Sequence, residues 1–400
     1  MADPESKQDS TQEPFPWQLG VFDAHCHPTD TFASLDHIPH MKAGALTIMA
    51  SRGQDQDLVR QFAVKYRIED ENLASLCKQE DVNLPKCIVP AFGWHPWFSH
   101  QIFDDTNSVV SDIRKPDAMQ HYMSVLTPTP DDHDFISSLP EPKPLSELLA
   151  HLRENLEEFP YALVGEIGID RSFRLPMHWA YDKQANRDAS LTPGGREGRQ
   201  LSTYRVQVGH QRKVLQTQLN LAAKLKRPVS VHGVAAHGIV QETLEETWKG
   251  YERRIPSKRQ SRQSSKAAGV PENGMASQPD NGKLKHQTTG TKPYPPRICL
   301  HSYSGPVDTL KRYLVPSIPA TIYFSFSCLV NLSSRTDKAV AVIKAVPDDR
   351  ILVESDLHSA GDKMDQLLEE VIRSVCKIKG WTLTAGVNQL AANWKRFVFG

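Results

Sequence analysis

Residues 206–233 read VQVGHQRKVLQTQLNLAAKLKRPVSVHG, and their patterning changes once along the way. Val214, Leu215, Leu219, Ala222 and Leu225 recur at the spacing that lines one face of a helix. Pro228 ends that period, because it lacks an amide hydrogen and disfavours the helical region in the residue before it. The Val229-Ser230-Val231-His232 that follows is short and β-branched. The spacing predicts a helix over 206–226 and a strand over 228–232. Upstream, the apolar run 162–167 predicts another strand, which completes a strand–helix–strand unit. Similar runs stand at 20–25, 45–50, 87–93, 297–301, 321–325 and 351–355. They are continuous rather than alternating, as expected where both faces of a parallel strand are covered. Eight such strands with helical stretches between them predict an α/β fold, a (β/α)8 TIM-like barrel carrying disordered or irregular insertions.

Three stretches break the rhythm. Residues 101–145 hold eight acidic residues against three basic ones, with several prolines. Residues 171–203 are rich in arginine and glycine around Pro193-Gly194-Gly195. Residues 252–293 hold nine Lys and Arg against three acids and hardly an apolar side chain, so they are expected to be disordered. This basic stretch reads either as a solvated loop or as a grip for nucleic acid or a protein partner. Residues 1–16 are expected to form a disordered tail, and 17–400 a single domain interrupted near 101–145, 171–203 and 252–293.

With 400 residues, 39% of them hydrophobic, the chain can bury one large core. Its 47 Lys and Arg cancel its 47 Asp and Glu, so no global field recruits nucleic acid or an anionic membrane. A phosphate substrate would have to be held locally, by a metal or a pocket. No run approaches the roughly 18 apolar residues of a membrane span. The first residues are polar and acidic, unlike a signal or transit peptide. Six scattered cysteines without a C-x-x-C pair argue against a zinc ribbon and point to a reducing compartment, with cytosol or nucleus as the expected place.

The strand ends carry the chemistry. The first runs into Asp23-Ala24-His25-Cys26-His27, where two histidines at i and i+2 leave a strand on the same face, the placement two imidazoles need to chelate one ion. The fourth runs into Gly165-Glu166-Ile167-Gly168-Ile169-Asp170, the fifth ends at His232, the sixth at His301, and the eighth in Glu354-Ser355-Asp356. Singly, each is more readily structural than catalytic. Jointly they are the ligand set that binds Zn, Mn or Mg, placed where barrel enzymes assemble their active sites. Two ions about 3.5–4 Å apart need a shared anion, and Glu166 is the natural bridge.

These motifs, with Gly93-Trp94-His95-Pro96, Gln211 and Gln218 on the long helix, His301-Ser302-Tyr303-Ser304-Gly305, and Asn393-Trp394-Lys395-Arg396-Phe397 near the end, resemble the TatD-type metal-dependent hydrolases. Those belong to the amidohydrolase superfamily and are mostly named deoxyribonucleases. The resemblance runs from about residue 20 to the C-terminus, minus the insertions. The His-Pro-Thr-Asp-Thr continuation from His27 looks most like a fungal branch named for interaction with an anaphase-promoting-complex subunit. It implies two divalent ions (Mg, Mn or Zn): His25 and His27 with Asp356 on one, His232 and His301 on the other, Glu166 between. Asp356 and Glu166 would be catalytic, with Asp356 handling a water, and His95 would sit near a substrate phosphate or, on a structural reading, be a buried hydrogen-bonded histidine. DNA is the implied substrate. The resemblance leaves open an amidase, lactonase or deaminase, and a barrel kept as an interaction module. Val234 stands where the family often has Arg, Ser302 and Tyr303 where Cys and Phe are common, and Leu357-His358 where a small residue and Pro are usual.

Overall fold

The computed structural model of the protein describes residues 13–68, 87–106, 116–179, 187–255, 292–333 and 337–400. Residues 1–12 of the expected tail and 256–291 of the basic insertion lie outside them. Eight parallel strands form one sheet, β1 Phe22–Cys26, β2 Ala45–Ala50, β3 Cys87–Phe92, β4 Leu163–Asp170, β5 Val229–Val234, β6 Arg297–Leu300, β7 Thr321–Phe326 and β8 Ile351–Val353, hydrogen-bonded in that order. Each lies within a few residues of its expected bounds. The helices α1 Gly53–Lys65, α2 Ala118–Val125, α3 His133–Ser138, α4 Leu145–Glu158, α5 Val208–Lys224, α6 His237–Trp248, α7 Val307–Tyr313, α8 Asp337–Ala345, α9 Asp362–Lys379 and α10 Leu383–Val398 alternate with them or extend the loops.

Strand side chains divide between two cores. Leu46, Ile48, Ile88, Ile298, Phe324 and Val353 belong to the large outer core beneath the helices. Ala45, Met49, Val89, Cys299, Tyr323 and Leu352 form the inner one, which Trp394 and Phe397 of α10 plug from below. Trp394 packs on Phe22 with ring centroids 4.6 Å apart and donates from Nε1 to Thr47 Oγ1 at 3.0 Å.

The barrel closes just beyond the last ladder. The Asp356 N–H donates to the His25 carbonyl at 3.1 Å, and the His27 N–H to the Leu357 carbonyl at 2.9 Å. Beneath them the buried Asp23 carboxylate accepts from the amides of His25 and Ser355 and from Ser355 Oγ. Burial pushes the Asp23 pKa up to about 7 against these three donors. The seam thus fixes the start and end of the chain's barrel portion together at the site.

Two strands are irregular where they carry polar residues. The β1–β2 register slips between Asp23 and Cys26, and the β4–β5 register between Val164 and Ile167. Such bulges re-aim side chains, and the residues re-aimed here are His25 and Glu166. β4 also runs on to Asp170, past its expected end, because Gly168 lets β5 approach: a Cβ there would lie 2.0 Å from the His232 carbonyl oxygen. Two buried glutamines on one face of α5 hold the loops that follow β3 and β4. Gln218 bonds both the amide and the carbonyl of Trp94, and Gln211 does the same for Asp170.

The first two insertions fold together. Asp117 and Asp132 cap α2 and α3 by accepting from Gln120 and Phe135 amides, so part of the acidic character seen in the sequence is capping rather than a charged face. Tyr122, Leu126, Phe135 and Ile136 bury against Leu175 of the second insertion and against Tyr204 and Val206 just after it, in a small core of their own. Leu126–Thr127 pairs antiparallel with Arg205–Val206. The result is a cap beside the C-terminal ends of β3 and β4.

Gly168→Ala is expected to lower stability by about 1–3 kcal/mol, since the obstructing atoms are backbone. Gly238→Ala, in α6 with open space around it, should leave the thermal midpoint unchanged or slightly raised. Equal melting curves for both variants would contradict the close approach of β4 and β5.

Candidate metal centre

Glu166 stands at the middle of a buried cluster. Its Oε2 lies 3.2 Å from His27 Nε2 and 3.5 Å from His25 Nε2. Its Oε1 lies 2.6 Å from His232 Nδ1, 2.7 Å from His301 Nε2 and 3.2 Å from His95 Nε2. His25 of β1 and His27 just beyond it meet at 3.1 Å between Nε2 atoms, and His232 Nδ1 and His301 Nε2 also stand 3.1 Å apart. Asp356, half-buried at the edge, places Oδ1 3.8 Å from His27 Nε2 and 4.0 Å from His25 Nε2. It reaches there from a left-handed backbone turn, with φ at 54°. All six residues expected at a metal site, and His95 beside them, are therefore together.

The spacing suits metal ions. Two nitrogens held by one tetrahedral zinc at about 2.0–2.1 Å lie about 3.3 Å apart. His25 Nε2, His27 Nε2 and Glu166 Oε2 are separated by 3.1, 3.2 and 3.5 Å. His25, His301 and Asp356 form another convergent trio.

Electrostatics follow from this crowding. Burial alone would raise the Glu166 pKa, but the surrounding imidazoles of His95, His301, His25 and His232 hold it well below the ordinary value. Burial opposes a charged His27, yet its hydrogen bond and charge interaction with Glu166 raise it to about 9. His301 and His232 are raised for the same reason. His25 is lowered by burial and by the His301 ring stacked on it at 4.0 Å.

His95 differs from the rest. Its Nδ1 accepts from the Trp97 amide at 3.1 Å, so the ring proton sits on Nε2, which points at Glu166. Burial lowers its pKa to about 4, keeping the ring neutral. It presents a hydrogen-bond donor to the cluster rather than a lone pair.

Outer partners, which the sequence did not single out as site residues, orient the imidazoles. His25 Nδ1 meets Ser230 Oγ at 2.8 Å. His232 Nε2 lies 3.2 Å from Asp170 Oδ2, which also accepts from Trp97 Nε1 at 2.6 Å. His301 Nδ1 lies 3.4 Å from Glu354 Oε1, itself held by Ser302. Partners of this kind fix ring orientation and raise ligand basicity. Asp170 and Glu354 were visible as acids closing strands; Ser230 and Trp97 carried no such signal. At the rim, Arg52 donates to Asp30 at 2.6 Å, and His358 Nδ1 meets the other Asp30 oxygen at 2.7 Å. A pocket of about 610 Å³ opens from the cluster to the cap, with Trp97, Phe173, Leu139, Val234 and His358 in its wall.

A parallel barrel whose strand ends bring histidines and carboxylates into one pocket has the build of a metal-dependent hydrolase. The chain belongs to the TatD related DNase family, whose model matches residues 22–399. It is 37% identical over 380 residues to Cut9-interacting protein scn1 of Schizosaccharomyces pombe, covering 94% of this chain and 98% of that one. It is 25% identical over 343 residues to an uncharacterized deoxyribonuclease of Saccharomyces cerevisiae, covering 84% and 83% respectively. The crystal structure of a hydrolase TatD family protein from Entamoeba histolytica shares the fold at a TM-score of 0.51 and 13% identity, covering 95% of this chain and 98% of that one.

Asp170→Asn keeps the shape and removes the charge behind His232; divalent-ion affinity measured by calorimetry should fall about 10–100-fold. An unchanged affinity would show that Asp170 does not tune the site. Protons and metal ions compete for the same nitrogens, and with His27 raised to about 9 affinity should climb as pH rises from about 6 to about 9. Loading should release protons, seen as a dependence of the calorimetric heat on buffer ionisation; a pH-independent affinity would contradict this.

Proposed function

We propose that the protein hydrolyses phosphodiester bonds, most plainly in DNA, with two divalent ions held by this cluster. The observation that carries the reading is the division of Glu166: one carboxylate oxygen faces the imidazoles of His25 and His27, the other those of His232 and His301. His25, His27 and Asp356 would hold one ion, His232 and His301 the other, and Glu166 would be shared. Bound there, divalent ions lower the pKa of water toward about 7 and neutralise charge on the phosphate.

The remaining work belongs to the chain. Asp356, half-buried and lining the pocket, accepts or orients the proton of the attacking water. His95, neutral and with its proton on Nε2, would turn that donor from Glu166 to a phosphate oxygen when substrate binds. The Trp97 and Phe173 rings, stacked 4.4 Å apart, wall the site on the cap side and limit the approach of bulk water. Charge at the floor of the pocket explains how a protein of zero net charge can handle a polyanion.

A second reading has its own observation, the relative whose name records interaction with Cut9. The same kind of contact with an anaphase-promoting-complex subunit is proposed for this chain, and is compatible with catalysis.

The test compares metal-loaded protein on single-stranded DNA and bis(4-nitrophenyl) phosphate with its activity on amide and lactone panels. Phosphodiesters should be cleaved, a chelator should stop the reaction and Mn²⁺ restore it. Asp356→Asn should lose about 10²–10⁴-fold in turnover while folding normally, and Glu166→Gln at least as much. Preference for amides or lactones, or full activity in Asp356→Asn, would overturn the assignment.

A further inference from the structure

The second insertion contributes more than a wall. Arg196 and Arg199 both line the pocket that contains Glu166, His95 and Asp356. They bracket a turn reciprocally: Arg196 Nε donates to the Arg199 carbonyl and Arg199 Nε to that of Arg196, each at 3.2 Å. Arg199, half-buried, gives its other nitrogens to the Met177 and Gly195 carbonyls. Among the described residues neither guanidinium forms an ion pair, and Glu197 between them is taken by Arg187 at 2.6 Å. Residues 171–206 carry six arginines and a lysine against three acids. The stretch therefore carries a net charge of +4.

The loop is also held in place. Arg52 donates from Nε to the Pro193 carbonyl at 3.1 Å and from Nη1 to Asp30 at 2.6 Å. The Thr192 amide donates to the Asp30 carbonyl and its hydroxyl to the Thr29 carbonyl. Thr29 and Asp30 lie two and three residues after His27, so the arginine turn is tied to the strand end that carries two of the clustered histidines. Arg199 gives all three nitrogens to backbone carbonyls and so braces the turn, while among the described residues the Nη groups of Arg196 bond nothing and are suited to phosphate, which arginine binds through paired N–H groups. An apolar wall of Leu139, Pro140, Phe173 and Leu175 stands in the same pocket and offers a surface for a base.

We propose that the Arg196–Arg199 turn is a second anion subsite, which binds a phosphate other than the one being cleaved and so selects phosphodiesters that carry an additional phosphate, as short single-stranded oligonucleotides do. This rests on the phosphodiesterase reading and adds the substrate feature that the insertion recognises.

Thymidine dinucleotides with and without an extra 5′- or 3′-phosphate, and bis(4-nitrophenyl) phosphate, separate the two claims in Mn²⁺-loaded protein. At least one added phosphate should lower KM about tenfold without changing kcat. Arg196→Ala and Arg196→Glu should erase that advantage, Arg196→Lys should keep most of it, and none should alter hydrolysis of bis(4-nitrophenyl) phosphate. Fluorescence anisotropy of labelled tetrathymidylate on metal-free protein gives a readout independent of turnover. Arg196→Glu should weaken binding at least tenfold and flatten the slope of log affinity against log salt by about 0.7. Equal KM values for all three dinucleotides, or an advantage and an affinity that survive Arg196→Glu, would overturn the subsite. Failure to cleave bis(4-nitrophenyl) phosphate would instead overturn the catalytic reading and leave the anisotropy result to decide the subsite.

Discussion

One carboxylate shared among four imidazoles organises this protein. Glu166 is buried with His25, His27, His232 and His301 around it, and its charge survives burial only because those rings face it. An unpaired buried carboxylate would neutralise itself or destabilise the fold. The arrangement demands that β1, β4, β5 and β6 meet at one depth. That demand accounts for features with no other apparent use: slipped registers at His25 and Glu166, the glycine at 168 that admits β5, and the Asp23 seam that ties β1 to the chain after β8.

The outer partners extend the same logic. Ser230 behind His25, Asp170 behind His232 and Glu354 behind His301 each take the ring nitrogen that points away from the centre or along its edge. Trp97 and Gln211 then anchor Asp170 from the loop after β3 and from α5. A cap built from two insertions adds the pocket's distal wall and its arginines. The zero net charge of the chain is thus spread unevenly, with the carboxylates of Glu166 and Asp356 at the pocket floor and arginines on its distal wall.

Much of this was legible in the sequence. The strands could be read because each is a continuous apolar run, and His25, His27, Glu166, His232, His301 and Asp356 because each closes such a run. The Gln211 and Gln218 pair could be seen but not explained, since its partners are backbone groups far away in sequence. Ser230 was hidden for a similar reason: it meets His25 across 205 positions and looks like an ordinary strand serine. The cap was hidden because its core is assembled from a few aromatic and aliphatic residues drawn from two segments, amid acids and prolines that read locally as loop. Register slips left no trace in the apolar pattern, because both faces of these strands are buried.

The central claim is that Glu166 is shared between two divalent ions. Anomalous diffraction from crystals soaked in Mn²⁺ tests it most directly. The account predicts two peaks about 3.5–4 Å apart, one beside His25 and His27 and one beside His232 and His301, with the Glu166 carboxylate reaching both. A single peak, or peaks bound without Glu166, would contradict it.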